Sequence, residues 1–261
     1  MEVQIKKAVK AGNSSAVVLP RAWLDKEVRV ELVKKTPETI LYDALEILKK
    51  YIHLKSIIGI YLVGSYARGE EDKDSDIDVL IITDDIDREM IHEGIYNILA
   101  VSYQLVNQKL EENLFPVGQM IKEAKPLLNS SYLDSIKVRA TKENVKWYLD
   151  TTEEKLGLIK KQIDYARTKG KKQISDRIAY TLILRIRTLE IIKKLIQNRD
   201  YSKKEFIKLI KHISNGNNAY ERYLASKNKE AGKEESKIAI EEAERLHKYL
   251  EKDLKKVKEM L

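Results

Sequence analysis

The stretch from Ile57 to Ile82 constrains the fold more than any other part of the chain. Ile57-Ile58-Gly59-Ile60-Tyr61-Leu62-Val63 is apolar without alternation, which predicts a strand covered on both faces. Gly64-Ser65-Tyr66-Ala67-Arg68-Gly69 then predicts a turn into a short helix, where Gly64 permits close backbone approach and Ser65 offers a hydroxyl beside the leading amides. A turn-rich stretch leads to Asp74-Ser75-Asp76-Ile77-Asp78-Val79-Leu80-Ile81-Ile82, a second predicted strand. Side chains at i and i+2 share one face of a strand, so Asp76 and Asp78 project together while Ile77 and Val79 turn into a core. Two neighbouring carboxylates repel unless a cation lies between them, and oxygen ligands of this kind suit magnesium.

Composition narrows the chemistry further. The 261 residues include no cysteine and only four scattered histidines, which excludes disulfides and thiolate chemistry and makes any metal oxygen-ligated. The formal charge of +8, from 49 basic and 41 acidic residues, favours anionic partners such as nucleotides or nucleic acid, although much of it lies in a lysine-rich helical half. No apolar run approaches the roughly 20 residues needed to cross a bilayer. The expectation is an intracellular, cytoplasmic protein without a membrane partner. Three domains are expected: residues 1–36 as a small β module, 37–130 as a mixed-sheet domain and 131–261 as a helical bundle. The fold class is therefore α+β.

In the first segment Val3 and Ile5, then Val17 and Leu19, then Val28, Val30 and Leu32 predict short strands with one apolar face. Gly12-Asn13-Ser14-Ser15 supplies a turn, and Pro20 ends the second strand. A piece this small cannot easily bury such faces alone, so it is expected to dock or to pair with another copy. The run from Val9 to Leu24 resembles the swapped-hairpin domains of AbrB and MazE-like transcription factors and antitoxins, over residues 3–33. It lacks their usual helix extension, since Val28-Arg29-Val30 follows Trp23-Leu24 almost at once. The resemblance implies a homodimer and, often, DNA binding. Lys6, Lys7, Lys10, Arg21 and Arg29 are then candidate phosphate contacts, which position a protein on a duplex without choosing its sequence. The alternative is a dimerisation or docking module whose basic residues are solvated.

In the second segment Leu41, Leu45, Leu48 and Ile52 have helical spacing, with Pro37 near the start. Beyond the second strand a helix is expected over 87–99 and a third strand over 100–106. The remainder is helical, with periodic apolar residues interrupted near Lys169-Gly170, Asn198-Arg199-Asp200 and Ser214-Asn215-Gly216-Asn217, and an exposed junction over 227–237. In the helix around Ile174 to Ile196, Arg177 and Arg185 are eight residues apart and could share a cationic face; the bland reading is a bundle helix with solvated or paired arginines.

Residues 57–82 resemble the nucleotidyltransferase superfamily that includes DNA polymerase beta, kanamycin nucleotidyltransferase and the minimal nucleotidyltransferase antitoxins. Gly64, Ser65, Asp76 and Asp78 carry the resemblance. It implies a nucleoside triphosphate such as ATP bound with Mg2+, Ser65 on the terminal phosphates, and Asp76 and Asp78 as catalytic metal ligands; Gly64 allows the backbone close, and Arg68, one helical turn beyond Ser65, could add charge near the triphosphate. It implies transfer of a nucleoside monophosphate to a hydroxyl or phosphate acceptor with loss of pyrophosphate. The acceptor suggested by the antitoxin relatives is a protein tyrosine, in a partner protein or toxin. The family also presents a third carboxylate on a later strand. The corresponding stretch is sought in 99–106, which contains no Asp or Glu; Gln104 cannot serve as a comparable base, and Glu111 and Glu112 suit a solvated helix face. Three readings follow: a nucleotidyltransferase acting on a protein, a noncatalytic DNA-binding or nucleotide-sensing regulator, or transfer to a small molecule in the manner of the antibiotic-modifying relatives.

Overall fold

The structure, a computed structural model, describes residues 4, 6, 8–31, 35–72, 75–87, 89–216, 218–227 and 237–261. Of the expectations above, Val3, Ile5, Lys7, Leu32, Asp74, Asn217 and nearly all of the 227–237 junction lie outside these residues. The fold class is α+β: an N-terminal hairpin, a mixed central sheet and a helical bundle. The chain forms two compact units, residues 1–108 with 120–137 and residues 109–119 with 138–261.

The first unit opens with the hairpin β1 (Val9–Ala11) and β2 (Ser14–Ala16), closed by a turn at Gly12 and Asn13 in which Gly12 has φ +60°. Both strands are exposed. The strands expected around Val17–Leu19 and Val28–Val30 do not form. The glycine turn places the pairing earlier, Pro20 leads directly into a single 3-10 turn at Arg21–Trp23, and among the described residues no neighbouring strand supplies hydrogen bonds to residues 26–31. Helix α1 (Pro37–Leu48) begins with Thr36 as N-cap, a reciprocal capping box with Thr39 and Pro37 in the first turn. It buries Ile40, Ala44, Ile47 and Leu48.

The central sheet is built from β3 (Ile57–Val63), β4 (Ile77–Thr83), β5 (Glu89–Glu93), β6 (Tyr96–Ser102) and β7 (Lys125–Leu128), with α2 (Gly64–Arg68) between β3 and β4. The spatial order is β5-β6-β4-β3-β7, with β4 and β6 parallel and the other pairs antiparallel. The helix expected over 87–99 is thus a hairpin, and β6 ends at Ser102 where α3 (Tyr103–Glu112) begins. The reason is local: Gly94 adopts φ +64° and closes a two-residue turn that pairs Glu93 with Tyr96. The core joins Ile40, Ala44 and Ile47 of α1 to Ile60, Ile77, Val79, Ile81, Tyr96, Ile98 and Ala100 of the sheet. Helices α4 (Val117–Glu123) and α5 (Ser130–Ser135) flank β7 in sequence.

The second unit is helical. It contains α6 (Lys142–Thr168), α7 (Asp176–Ile196), α8 (Lys203–Ser214), α9 (Asn218–Lys227) and α10 (Ile240–Met260). A two-stranded ladder of β8 (Gln173–Ser175) and β9 (Lys237–Ala239) precedes α7 and α10. Its core draws on Leu114, Val145, Ile159, Ile163, Leu182, Ile186, Phe206, Ile210, Leu246 and Leu250. No helix is long and apolar enough to cross a membrane among the described residues.

Candidate functional site

The antiparallel pairing of β3 with β4 places Val63 opposite Asp78, so the turn at Gly64 presses directly on that aspartate. Gly64 has φ +70°, and a Cβ on it would lie 2.2 Å from Asp78 Oδ2. Only glycine meets both conditions, left-handed backbone and direct contact with a carboxylate. Ser65 stands in the first turn of α2 and is half-buried. Gly69, at φ +65°, closes the helix as its left-handed C-cap. The loop back to β4 is shaped by Asp72, whose carboxylate accepts a hydrogen bond from the Ser75 hydroxyl (2.8 Å) while its backbone N–H donates to the same oxygen (2.8 Å).

Asp76 and Asp78 lie on one side of the sheet, as their spacing requires. Asn97 reaches both: its Nδ2 donates to Asp76 Oδ2 (3.4 Å) and to Asp78 Oδ1 (3.3 Å). Asn97 is the residue of β6 opposite Asp78 in the parallel ladder. The strand beside the aspartates therefore presents an amide, and at 97, not within 99–106; Gln104, Glu111 and Glu112 are exposed on α3. The Asn97 oxygen is engaged by His92 Nδ1 at 2.8 Å. Among the described residues no three His, Cys, Asp or Glu side chains come together as a metal-binding group.

Glu123, near the end of α4, is the contribution that sequence reasoning missed. Its carboxylate accepts from the Gly64 backbone N–H (2.9 Å) and from Arg68 Nη1 (2.5 Å), while Arg68 Nε donates to Glu70 (3.0 Å). The Arg68 side chain is 14% exposed, so its charge is met by two carboxylates inside the unit. Burial works against the charged guanidinium, but Glu123 and Glu70 outweigh it and the net shift is upward. Asp78 is shifted upward as well: burial is the main cause, and the charges of Asp76 and Glu123 add to it, against the Asn97 hydrogen bond and Arg68. No sequence signal ties Glu123 to Gly64, because they are brought together only by packing. Asn97 carries a weak one, a polar residue between the core residues Tyr96 and Ile98 just after a glycine turn.

The other singled-out residues stand elsewhere. Lys6, Lys10, Arg21 and Arg29 are exposed, and Arg29 pairs with Glu31. In the helical unit Arg177 is exposed and Arg185 half-buried.

No curated protein matches the sequence. Among solved structures, a nucleotidyltransferase-like protein from Exiguobacterium sibiricum 255-15 is similar, at 14% identity and a TM-score of 0.36, over 83% of this chain and 75% of that one. The family described as the nucleotidyltransferase domain matches residues 43–259, which include the whole Gly64 to Asp78 arrangement and most of the chain. The chain therefore belongs to the nucleotidyltransferase domain family.

Proposed function

We propose that the protein binds a nucleoside triphosphate with magnesium at Asp76 and Asp78 and transfers its nucleoside monophosphate, AMP from ATP, to a hydroxyl acceptor. The observation that carries this reading is the seating of Gly64 against Asp78, with Asp76 and Asp78 sharing one amide partner. The donor chemistry fits one hard divalent cation: two carboxylates, with like charges around Asp78 left to be offset. Asp76 and Asp78 would hold it, and Asn97, whose oxygen is turned to His92, orients the two carboxylates through its Nδ2. When bound, magnesium compensates charge on the phosphate oxygens.

The protein's own groups do the rest. Gly64 admits the phosphate chain to the backbone, and Ser65 donates its hydroxyl to a terminal phosphate oxygen. Arg68 contributes charge to the phosphates only by exchanging the Glu123 carboxylate for one of them. The acceptor hydroxyl gives its proton to solvent as its oxygen attacks the α-phosphorus, the bond from that phosphorus to the pyrophosphate oxygen breaks, and pyrophosphate leaves. A protein tyrosine in a toxin–antitoxin setting is the acceptor this reading favours. The N-terminal hairpin serves as an AbrB/MazE-like homodimerisation module with DNA affinity; the exposure of Val9, Val18, Leu24, Val28 and Val30 supports it. As segments of the sequence we propose 1–36, 37–130 and 131–261, with residues 109–119 packing in the helical unit and 131–137 in the first.

The neutral Asn97 favours a second reading, a nucleotide-sensing regulator that binds without transfer. One experiment separates the two. ATP binding and transfer of α-labelled phosphate to macromolecules of a native extract are measured with magnesium, for the natural protein and for Asp76→Asn/Asp78→Asn. Label on a discrete acceptor from the natural protein alone supports transfer. Retained binding without label or pyrophosphate supports sensing, and loss of neither binding nor transfer in the double variant overturns the site.

A further inference from the structure

We propose that the helical unit carries a second binding site, formed by Trp147 of α6 and Arg185 of α7, for a nucleobase joined to a phosphate. It is independent of the aspartate site and does not rest on that reading.

Trp147 is 59% exposed, a large flat apolar surface on a helix whose other face is core. The indole is held in place. Tyr148 meets it edge-on at 4.9 Å and 87°, and Phe115 braces Tyr148 at 4.9 Å and 69°. The Tyr148 hydroxyl donates to Asn113 Oδ1 at 2.8 Å, which pins that ring in turn. An exposed aromatic ring fixed from beneath loses little entropy when a second ring stacks on it.

Arg185 supplies the charge. Its Cζ lies 5.9 Å from the Trp147 ring centre, and Nη1 donates to Thr151 Oγ1 at 2.9 Å. Among the described residues no carboxylate forms an ion pair with it. Of the other half-buried cations of the unit, Lys193 is met by Glu190 and Asp253 and Arg222 by Asp176, while Arg187 leans on Tyr201 and Tyr223. Burial pulls the Arg185 pKa down and only the Tyr148 hydroxyl opposes this, so the half-buried guanidinium, set beside the indole, is left without a paired anion. An incoming phosphate offers that anion with two oxygens that the guanidinium fork can take together. A carboxylate ligand would satisfy Arg185 but leave the indole open; a nucleotide occupies both, the base on Trp147 and the phosphate on Arg185. The shared chemistry could arrive as a free nucleotide or as a nucleic acid strand.

The chain has two tryptophans, so Trp23→Phe makes Trp147 the sole indole and its fluorescence the reporter. The full chain, in a Trp23→Phe/Asp76→Asn/Asp78→Asn background and with EDTA, is titrated with AMP, with a ten-residue thymidine oligonucleotide and with inorganic phosphate. Saturable quenching by a base-bearing ligand and none by phosphate is expected. Arg185→Gln should weaken it by about tenfold, and Arg185→Lys by less, at unchanged helical circular dichroism. Comparable affinity for AMP and the oligonucleotide identifies a free-nucleotide site. Much tighter, steeply salt-dependent oligonucleotide binding identifies a strand. Absence of saturable quenching, or affinity unchanged in both Arg185 variants, overturns the proposal.

Discussion

At the scale of single residues, Gly64, Asp78 and Asn97 decide what the candidate site can do. Gly64→Ala forces a Cβ against the Asp78 carboxylate in a left-handed backbone, so ATP binding measured by calorimetry should fall by about tenfold or more and Tm should drop. Asp78 behaves oppositely for stability. Its folded-state pKa is raised, so the folded protein holds that proton more tightly than the unfolded chain. The associated stability is present at acid pH and is lost as pH rises through the folded value, leaving the ionised form a cost near neutrality. Asp78→Asn should accordingly raise Tm by about 2 °C at pH 7 and flatten the pH dependence of Tm across the carboxylate range, while abolishing divalent cation binding. A function-bearing group that destabilises its own fold would show both effects together. Asn97→Asp tests the third corner. It exchanges an amide that donates to two carboxylates for a third negative charge, so Tm should fall without magnesium and recover with it, and Mn2+ titration should show about tenfold tighter binding.

At the scale of elements, the helix starts are legible and the strand partners are not. Thr36 with Pro37 announces α1, and Thr141 with Asn144 forms the same reciprocal box at the start of α6. Asn144 does more than cap. It is 3% exposed, and its Nδ2 donates to Leu110 O at 2.7 Å and Arg139 O at 2.9 Å. Asn144→Ala removes half of the capping box and the amide that binds the Leu110 and Arg139 carbonyls, a loss of about 1–2 kcal/mol that denaturant unfolding of the full chain would measure. Thr36→Ala, at an exposed start, should cost no more than about 1 kcal/mol. The strands around Val17 and Val28 have the apolar alternation of real strands, yet residues 17–20 and 26–31 are irregular because alternation supplies a face and not a hydrogen-bonded neighbour.

At the scale of the whole molecule, the two compact units do not divide the sequence at one point. Residues 109–119 belong with 138–261, and Leu114, fully buried, lies in the helical core with Val145 and Leu149. A fragment of 138–261 alone would lack Leu110, Leu114 and Phe115 and leave a void in that core. It should melt earlier and less cooperatively than the same residues within the full chain, as scanning calorimetry would show. A loss of about 2–5 kcal/mol is expected for a missing large core side chain.

The chain's own residues determined the class of fold, the apolar strands flanking the Gly64 turn, the shared face of Asp76 and Asp78, and the helical character of the second half. All of these follow from short-range physics: the two-residue period of a strand, the glycine at a left-handed turn, the capping of a helix start. Only the tertiary structure decided that Asn97 stands opposite Asp78, that Glu123 holds Gly64 and Arg68, and that residues 109–119 join the helical unit. Each depends on strand register or on contacts between residues far apart in the chain, and neither leaves a local periodic trace in the sequence.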